Sequence, residues 1–335
     1  MSILITLILL FFFICSPSAA YLLDRLQLPS PLTGPESLAF DRNGGGPYVG
    51  SSDGRIFRYI ASGPQSGSFV EYGYSSPIRN KAMCDGLTDF STIQTICGRP
   101  LGLGFNHQTN ELYVADAYFG LIKIGPNGGA PTQLVRDVQG TPLNFTNALD
   151  VDPETGIVYF TQASANYQFR DLTALLNSGD SSGSLFMFDP RTNQTRELLR
   201  GLAMAAGVAG SSDGSFVLVT EFLGRRIQRF WVRGDRANTS DTFAVLLGSP
   251  DNIKRNPSNQ FWVAVNSFLG LSPLPTPPVI TTGLRYSESG FLLQIVSLLD
   301  EYGTQAVSEV QEFNGTLYGG SLYASYAAVF TQYFL

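Results

Sequence analysis

Apolar and polar positions along this chain alternate in short runs, broken by clusters of Asp, Asn and Gly. Such runs, with a period of two, predict strands, and the Asp-, Asn- and Gly-rich interruptions predict tight turns. One motif recurs six times: an apolar strand, a polar turn, then a second apolar-aromatic strand. It reads SLAFDRNGGGPYVGSSDGRIFRY from Ser37 to Tyr59 and LGLGFNHQTNELYVADAYFGLIKI from Leu101 to Ile124. ALDVDPETGIVYFTQ begins at Ala148, with a partner strand SLFMFD at Ser184. VAGSSDGSFVLVTEFLGRRIQRFWV begins at Val208, and DNIKRNPSNQFWVAV begins at Asp251 with a partner at FLLQIV, Phe291 to Val296. EVQEFNGTLYGGSLYASYAAVF begins at Glu309. The second-strand anchors Tyr48, Tyr113, Tyr159, Val217, Trp262 and Tyr318 are 65, 46, 58, 45 and 56 residues apart.

Units near this period, each holding several short strands, predict the blades of a propeller. The expected architecture is therefore all-β, a six-bladed β-propeller. Two β-sandwiches of three units each are the alternative, but no linker of changed composition divides the chain. The longest helical candidate, RDLTALL from Arg170 to Leu176, is an excursion within the third unit. The Pro-rich stretch from Ser272 to Pro278 predicts an inter-strand loop. Closure of the ring is expected to draw on the segment Tyr21 to Leu32.

The N-terminus breaks this pattern. Ile3 to Cys15 is an almost wholly apolar run, too short for a bilayer span of about 20 residues. Small residues follow it, Ser16-Pro17-Ser18-Ala19-Ala20. This predicts a signal peptide over residues 1–20, cleaved after Ala20, and a single propeller domain over 21–335. An uncleaved anchor is the competing reading. Cys15 leaves with the leader, and Cys84 and Cys97 are expected to pair in an oxidising lumen. Four sequons agree with that compartment, at Asn144, Asn193, Asn238 and Asn314. The expected location is the secretory pathway, ending in the vacuole, the extracellular space or the endoplasmic reticulum. No other apolar run is long enough to span a membrane.

Composition narrows the chemistry. Only 14% of the 335 residues are charged, against about 25% in an average soluble domain. The net charge of −6 and pI near 4.9 argue against a nucleic-acid partner. His107 is the single histidine, which excludes sites built from two or three His ligands. It falls in the turn from Asn106 to Asn110, outside any triad or zinc motif. Lysines are limited to Lys81, Lys123 and Lys254. Gly44-Gly45-Gly46 and Gly128-Gly129 lack the helix and lysine of a phosphate loop. Arg225, Arg226, Arg229 and Arg233 alternate along a strand and read as a solvated outer face.

A propeller presents the starts of its inner strands to a central channel. The positions so placed are Glu36, Leu101, Asn147, Met204 to Gly207, Asp251-Asn252 and Ser308-Glu309. Asp116 ends a strand and is a further carboxylate near the channel. The expected partner is a small molecule in this channel, bound by a monomer.

Five segments carry a specific resemblance. YSSPIRNKAMCDG with CGRPLGLGFN, GGAPTQLVRDVQGTPLNFTNALDVDPETGIVYFT, SSDGSFVLVTEFLGRRIQRFWVRG, DNIKRN with FWVAV, and SEVQEFNGTLYGGSL resemble the strictosidine synthase family of plants. The resemblance covers residues 35 to 330 and implies a six-bladed propeller with a Cys84–Cys97 bridge. The family's name-giving reaction is a cofactor-free Pictet–Spengler condensation of tryptamine with secologanin. A channel glutamate is its acid and base. An ungapped match of the last blade puts that position at Ser308 and a histidine two residues earlier at Ala306. Glu309 is adjacent, and strand alternation turns it away if Ser308 faces the channel. The family's substrate-contacting positions fall on Leu101, Phe145, Asn147 and Phe222.

The repeats also resemble, more distantly, the calcium-dependent paraoxonases and gluconolactonases. Those families hold one Ca²⁺ at the channel mouth with Glu, Asn and an Asp-Asn pair. The matching residues here are Glu36, Asn147 and Asp251-Asn252, an oxygen set suited to a hard cation. That resemblance implies metal-assisted lactone or ester hydrolysis. A third reading is a propeller without catalysis that binds a small apolar ligand in an aromatic channel.

Overall fold

In the computed structural model, residues 18–268 and 279–332 are described. The apolar run from Ile3 to Cys15 and the Pro-rich stretch from Ser272 to Pro278 lie outside them. The chain is a six-bladed β-propeller. Strand β1 (Ser18–Gln27) comes first and is used last. Blade one holds β2 (Leu38–Ala39), β3 (Tyr48–Gly50), β4 (Arg55–Ile60) and β5 (Ser68–Tyr74). Blade two holds β6 (Pro100–Asn106), β7 (Glu111–Asp116), β8 (Gly120–Ile124) and β9 (Pro131–Val135). A small hairpin follows, β10 (Asp137–Val138) and β11 (Thr141–Pro142). Blade three holds β12 (Thr146–Val151), β13 (Val158–Gln162), β14 (Gly183–Asp189) and β15 (Gln194–Leu202). Blade four holds β16 (Ala205–Gly210), β17 (Phe216–Glu221), β18 (Arg226–Trp231) and β19 (Ser240–Val245). Blade five holds β20 (Ser249–Arg255), β21 (Phe261–Phe268), β22 (Val279–Tyr286) and β23 (Leu292–Ser297). Blade six holds β24 (Glu309–Phe313), β25 (Thr316–Gly320) and β26 (Tyr326–Gln332), with β1 as its outer strand.

Two details differ from the sequence reading. The strand beside β21 is β22, paired over eight residues from Phe261 to Phe268, and the expected partner FLLQIV forms most of the strand one place further out. The Thr-Thr-Gly run in β22 hides its strand character, because it carries few large apolar groups. Two short helices, α1 (Lys81–Cys84) and α2 (Gln94–Cys97), bracket the disulfide loop and carry no apolar periodicity to announce them. The third-unit excursion is helical as expected, α3 spanning Leu172–Ser178 after a 3₁₀ turn at Phe169–Asp171.

Every blade is antiparallel, so each inner strand begins at one end of the channel and the next turn lies at the other. The end where inner strands begin is called the front, the opposite end the rear. Inner strands crowd together near the axis, which requires missing side chains. A Cβ on Gly102 would lie 2.6 Å from Ala148 Cα, and one on Gly207 would lie 2.5 Å from Ile253 N. Glycine at these positions lets neighbouring backbones meet.

Buried polar side chains tie blades three to six in series and blade six back to blade one. Thr161 Oγ1 donates to Ala206 O (2.7 Å), and Thr220 Oγ1 donates to Asp251 O (2.7 Å). Asn266 exchanges two hydrogen bonds with the Val307 backbone, at 2.8 and 2.9 Å. Blade six reaches blade one through Glu309, whose carboxylate accepts from Ser37 Oγ and Leu38 N, each at 2.8 Å. Apolar side chains fill the spaces between blades, Trp262 and Phe160 among the fully buried ones.

The ring closes at its rim through β1, which pairs with β26 from Ala20↔Gln332 to Gln27↔Tyr326. Ser18 and Ala19 also pair in parallel with Val296 and Ser297 of β23, so blades five and six share one eight-stranded sheet. Leu26 and Leu28 carry this closure inward, into a cluster with Leu32, Leu38, Val49 and Phe57. Arg25 forks onto Glu301, at 2.7 and 2.9 Å. Leu26→Ala is therefore expected to cost about 2–5 kcal/mol in chemical denaturation. Leu22→Ala, at an exposed position of the same strand, is expected to change stability far less; equal losses would contradict closure through Leu26.

Candidate functional site

The front mouth is a partly open, apolar-walled cavity. Its position follows from the fold, because the starts of six inner strands converge there. The walls are apolar: Leu101 and Phe145 precede or open their strands, and Met204, Phe222 and Phe268 come from blades four and five. A roof comes from the blade-three excursion, whose Phe169, Leu172 and Leu176 face the cavity. Phe90 of the disulfide loop stacks on Phe169 at 5.0 Å between centroids. The Cys84–Cys97 bridge holds that loop closed.

The floor is polar and acidic. Glu36, Asn147, Asp251, Asn266 and Ser308 face the same cavity. Arg99 braces the segment that carries Glu36. It is fully buried, pairs with Asp89 (2.6 Å) and donates to Gly34 O (3.2 Å). Asn252 Nδ2 donates to Glu36 Oε1 (3.0 Å), joining blade five to that segment. The Ser308 hydroxyl accepts from Leu322 N at 3.0 Å.

Burial and mutual repulsion dominate the electrostatics. Burial, then the charge of Glu309, pushes the Glu36 carboxyl up from 4.5 to about 7, against the opposing Arg99 guanidinium and Asn252 amide. Asp251 is driven well above its ordinary value, first by burial and then by Glu36. Glu309 is raised by burial as well, although Lys254 at 3.4 Å favours its charged form. Three oxygens of the site have no hydrogen-bond partner despite being buried: Glu36 Oε2, Asn147 Oδ1 and Asn252 Oδ1. Buried polar atoms are normally paired, so these mark a place suited to a ligand. Together with Asp251 they form an oxygen-only donor set, which fits a hard cation such as Ca²⁺. Among the described residues no group of three or more His, Cys, Asp and Glu surrounds a point. Two carboxylates and two amide oxygens would therefore have to do the holding.

The structure brings Glu36, Leu101, Phe145, Asn147, Phe222, Asp251 and Ser308 to one cavity, with Asn252 bonded to Glu36 beside it. It places Glu309 elsewhere: the side chain lies between blades six and one, bonded to Ser37, Leu38 and Lys254. Asp116 is buried within blade two, accepting from the backbone N–H groups of Arg99, Tyr118 and Phe119. His107 lies at the rear, with Nε2 3.1 Å from Phe40 O. Arg226 pairs with the fully buried Glu221, and Arg229, only 19% exposed, pairs with Asp241 and lies over Trp231 and Phe243 rather than free in solvent. Asn266 and the roof residues Phe169, Leu172 and Leu176 were not anticipated. The helical excursion was legible, but nothing in its sequence says which way it folds.

Comparison with known proteins bears on this site. Residues 147–235 match the strictosidine synthase family, and residues 22–59 match the N-terminal segment of strictosidine synthase-like proteins. Strictosidine synthase-like protein 12 of Arabidopsis thaliana is 40% identical over 91% of this chain and 89% of its own length. The chain belongs to the strictosidine synthase-like family. Strictosidine synthase of Catharanthus roseus is 35% identical over 91% of this chain and 85% of its own length. Among solved structures, a gluconolactonase of Xanthomonas campestris superposes with a TM-score of 0.62 at 15% identity, covering 95% of each chain. That likeness concerns the fold alone.

The raised carboxyls give a pH signature. Between pH 4.5 and about 7 the folded protein holds a proton on Glu36 that the unfolded chain has released. Stability therefore falls as pH rises through that window and levels off above it, by about 3 kcal/mol for this group. In chelator-containing buffer, Glu36→Gln is expected to flatten the decline in melting temperature across this range. A slope unchanged by the substitution would place the titrating group elsewhere.

Proposed function

We propose that this protein binds a small, largely apolar organic molecule in the front mouth and does not perform the strictosidine condensation. The observation that carries this reading is Ser308. It occupies the position that matches the family's acid-base glutamate, and the neighbouring Glu309 is spent on the joint between blades six and one. A serine hydroxyl does not replace a carboxylate that must take and return a proton near neutral pH. The apolar walls suit a compact, largely apolar ligand. Glu36 and Asp251 would meet its polar end.

A second reading is metal-assisted hydrolysis of a lactone or ester, and the unpaired oxygens of Glu36, Asn147 and Asn252 favour it. Glu36, Asn147, Asp251 and Asn252 would hold Ca²⁺, which when bound would polarise a carbonyl oxygen. The apolar walls would then take the rest of the substrate, and the Phe169 roof would limit water. The leader-like N-terminus and the sequons support a secretory location, the vacuole first and the extracellular space or endoplasmic reticulum as alternatives. Among the described residues no helix is long and apolar enough to cross a membrane.

Two measurements test these readings. Purified protein incubated with tryptamine and secologanin is expected to yield no strictosidine. Turnover that survives Ser308→Ala but is lost in Glu309→Gln would reverse the assignment of the two positions. In calorimetry and thermal denaturation, Ca²⁺ is expected to bind and raise the melting temperature, with both effects lost in Asp251→Asn. No heat and no shift would reject the metal and leave the ligand-binding reading standing.

A further inference from the structure

The four sequons are indistinguishable in sequence, yet the fold treats them differently. Asn193 lies in the turn between β14 and β15, Asn238 between β18 and β19, and Asn314 between β24 and β25. Inner strands run from front to rear. In antiparallel blades, the turns after the first and third strands therefore all fall at the rear. Asn314 follows a first strand, and Asn193 and Asn238 each follow a third. All three are exposed. Their φ angles are 55°, 63° and 50°, the left-handed conformation that asparagine tolerates in tight turns. Among the described residues their Nδ2 atoms have no hydrogen-bond partner, and the side chains stand in solvent in the turns between strands.

Asn144 differs in each respect. It immediately precedes Phe145 and β12, at the front, where Phe145 lines the cavity. It is half-buried, and the third residue of its sequon, Thr146, is fully buried. Its Nδ2, the atom that would carry a sugar, donates to Ala165 O at the start of the excursion that roofs the cavity. A glycan there would have to part the excursion from the mouth.

We propose that the protein is N-glycosylated on its rear face only, at Asn193, Asn238 and Asn314, and that mature protein leaves Asn144 unmodified. In each modification the amide Nδ2 loses a proton and bonds to the anomeric carbon of an oligosaccharide. The donor is a lipid-linked oligosaccharide diphosphate, and the lipid diphosphate leaves. The result is a rear face screened by sugar and a front mouth open to small molecules. Asn314 is next to Phe313, which lines the rear opening of the channel with His107, so its glycan would overhang that opening.

The inference rests on import into the secretory pathway, so the test separates the two. The full chain is expressed in plant cells behind its own leader and, in parallel, behind a leader of proven import. Site occupancy is read by peptide mass spectrometry after enzymatic deglycosylation in heavy-oxygen water. Thr195→Ala, Ser240→Ala and Thr316→Ala are each expected to remove one glycan while keeping the left-handed asparagine in place. Thr146→Ala is expected to leave the glycan count unchanged. Glycan on Asn144 of folded, secreted protein, or bare rear-face sites behind the proven leader, would overturn the proposal. Glycans absent only with the native leader would reject import by that leader and leave the rear-face pattern confirmed by the parallel sample.

Discussion

Six strand ends meeting on one axis must satisfy their backbone groups with almost no water, and the carboxylate of Glu309 is where that demand is met last. Blades three to six are joined in series by Thr161, Thr220 and Asn266. Each of these is neutral and reaches one strand further round. The joint between the sixth blade and the first is different. There a fully buried anion takes a hydroxyl, a backbone N–H and the Lys254 ammonium. A buried charge is tolerated only when so fully partnered. Lys254 is in turn anchored on Leu103 O of blade two, so one ion pair spans the channel between blades five, six and two.

That joint explains the character of the front mouth. With Glu309 committed below, the cavity floor is left with Glu36 and Asp251, two carboxyls that burial drives toward their protonated forms, Asp251 further by the charge of Glu36, and that face apolar walls. The site has no cation of its own among its lining residues, and the nearest, Lys254 and Arg99, are held by Glu309 and Asp89. Whatever the mouth binds meets two carboxyl groups and unpaired amide oxygens at its deep end and carbon at its outer end. The roof adds a second demand, since Phe169 is held between Phe90 and the guanidinium of Arg99.

Much of this was legible in the sequence. Six repeats of apolar strand and Asp-Asn-Gly turn predicted the blades, and the starts of the inner strands located Glu36, Asn147, Asp251 and Ser308. Period-two alternation was enough to separate Ser308 from Glu309. What escaped was long-range: β22, whose small residues mask its pairing, and the direction in which the Arg170–Leu176 helix folds. Arg99 also escaped, because a single arginine in a Gly-Arg-Pro turn gives no sign that it will be buried against Asp89, Gly34 and Phe169. Such contacts depend on segments far apart in the chain, and local pattern says nothing about which pairs will meet.

The outer strand β1 has a consequence for how the molecule comes into being. Tyr21 lies 310 residues from its partner Thr331, nearly the whole chain length. During synthesis the first strand made must wait, unpaired, for the last. Five blades can assemble without the N-terminal strand, but the sixth keeps an open edge until β26 is made and meets β1. Contacts of such separation are slow to form, and open edges invite pairing with other chains. The ring thus closes only once β26 is available to pair with β1, and its open edge is most vulnerable before that pairing.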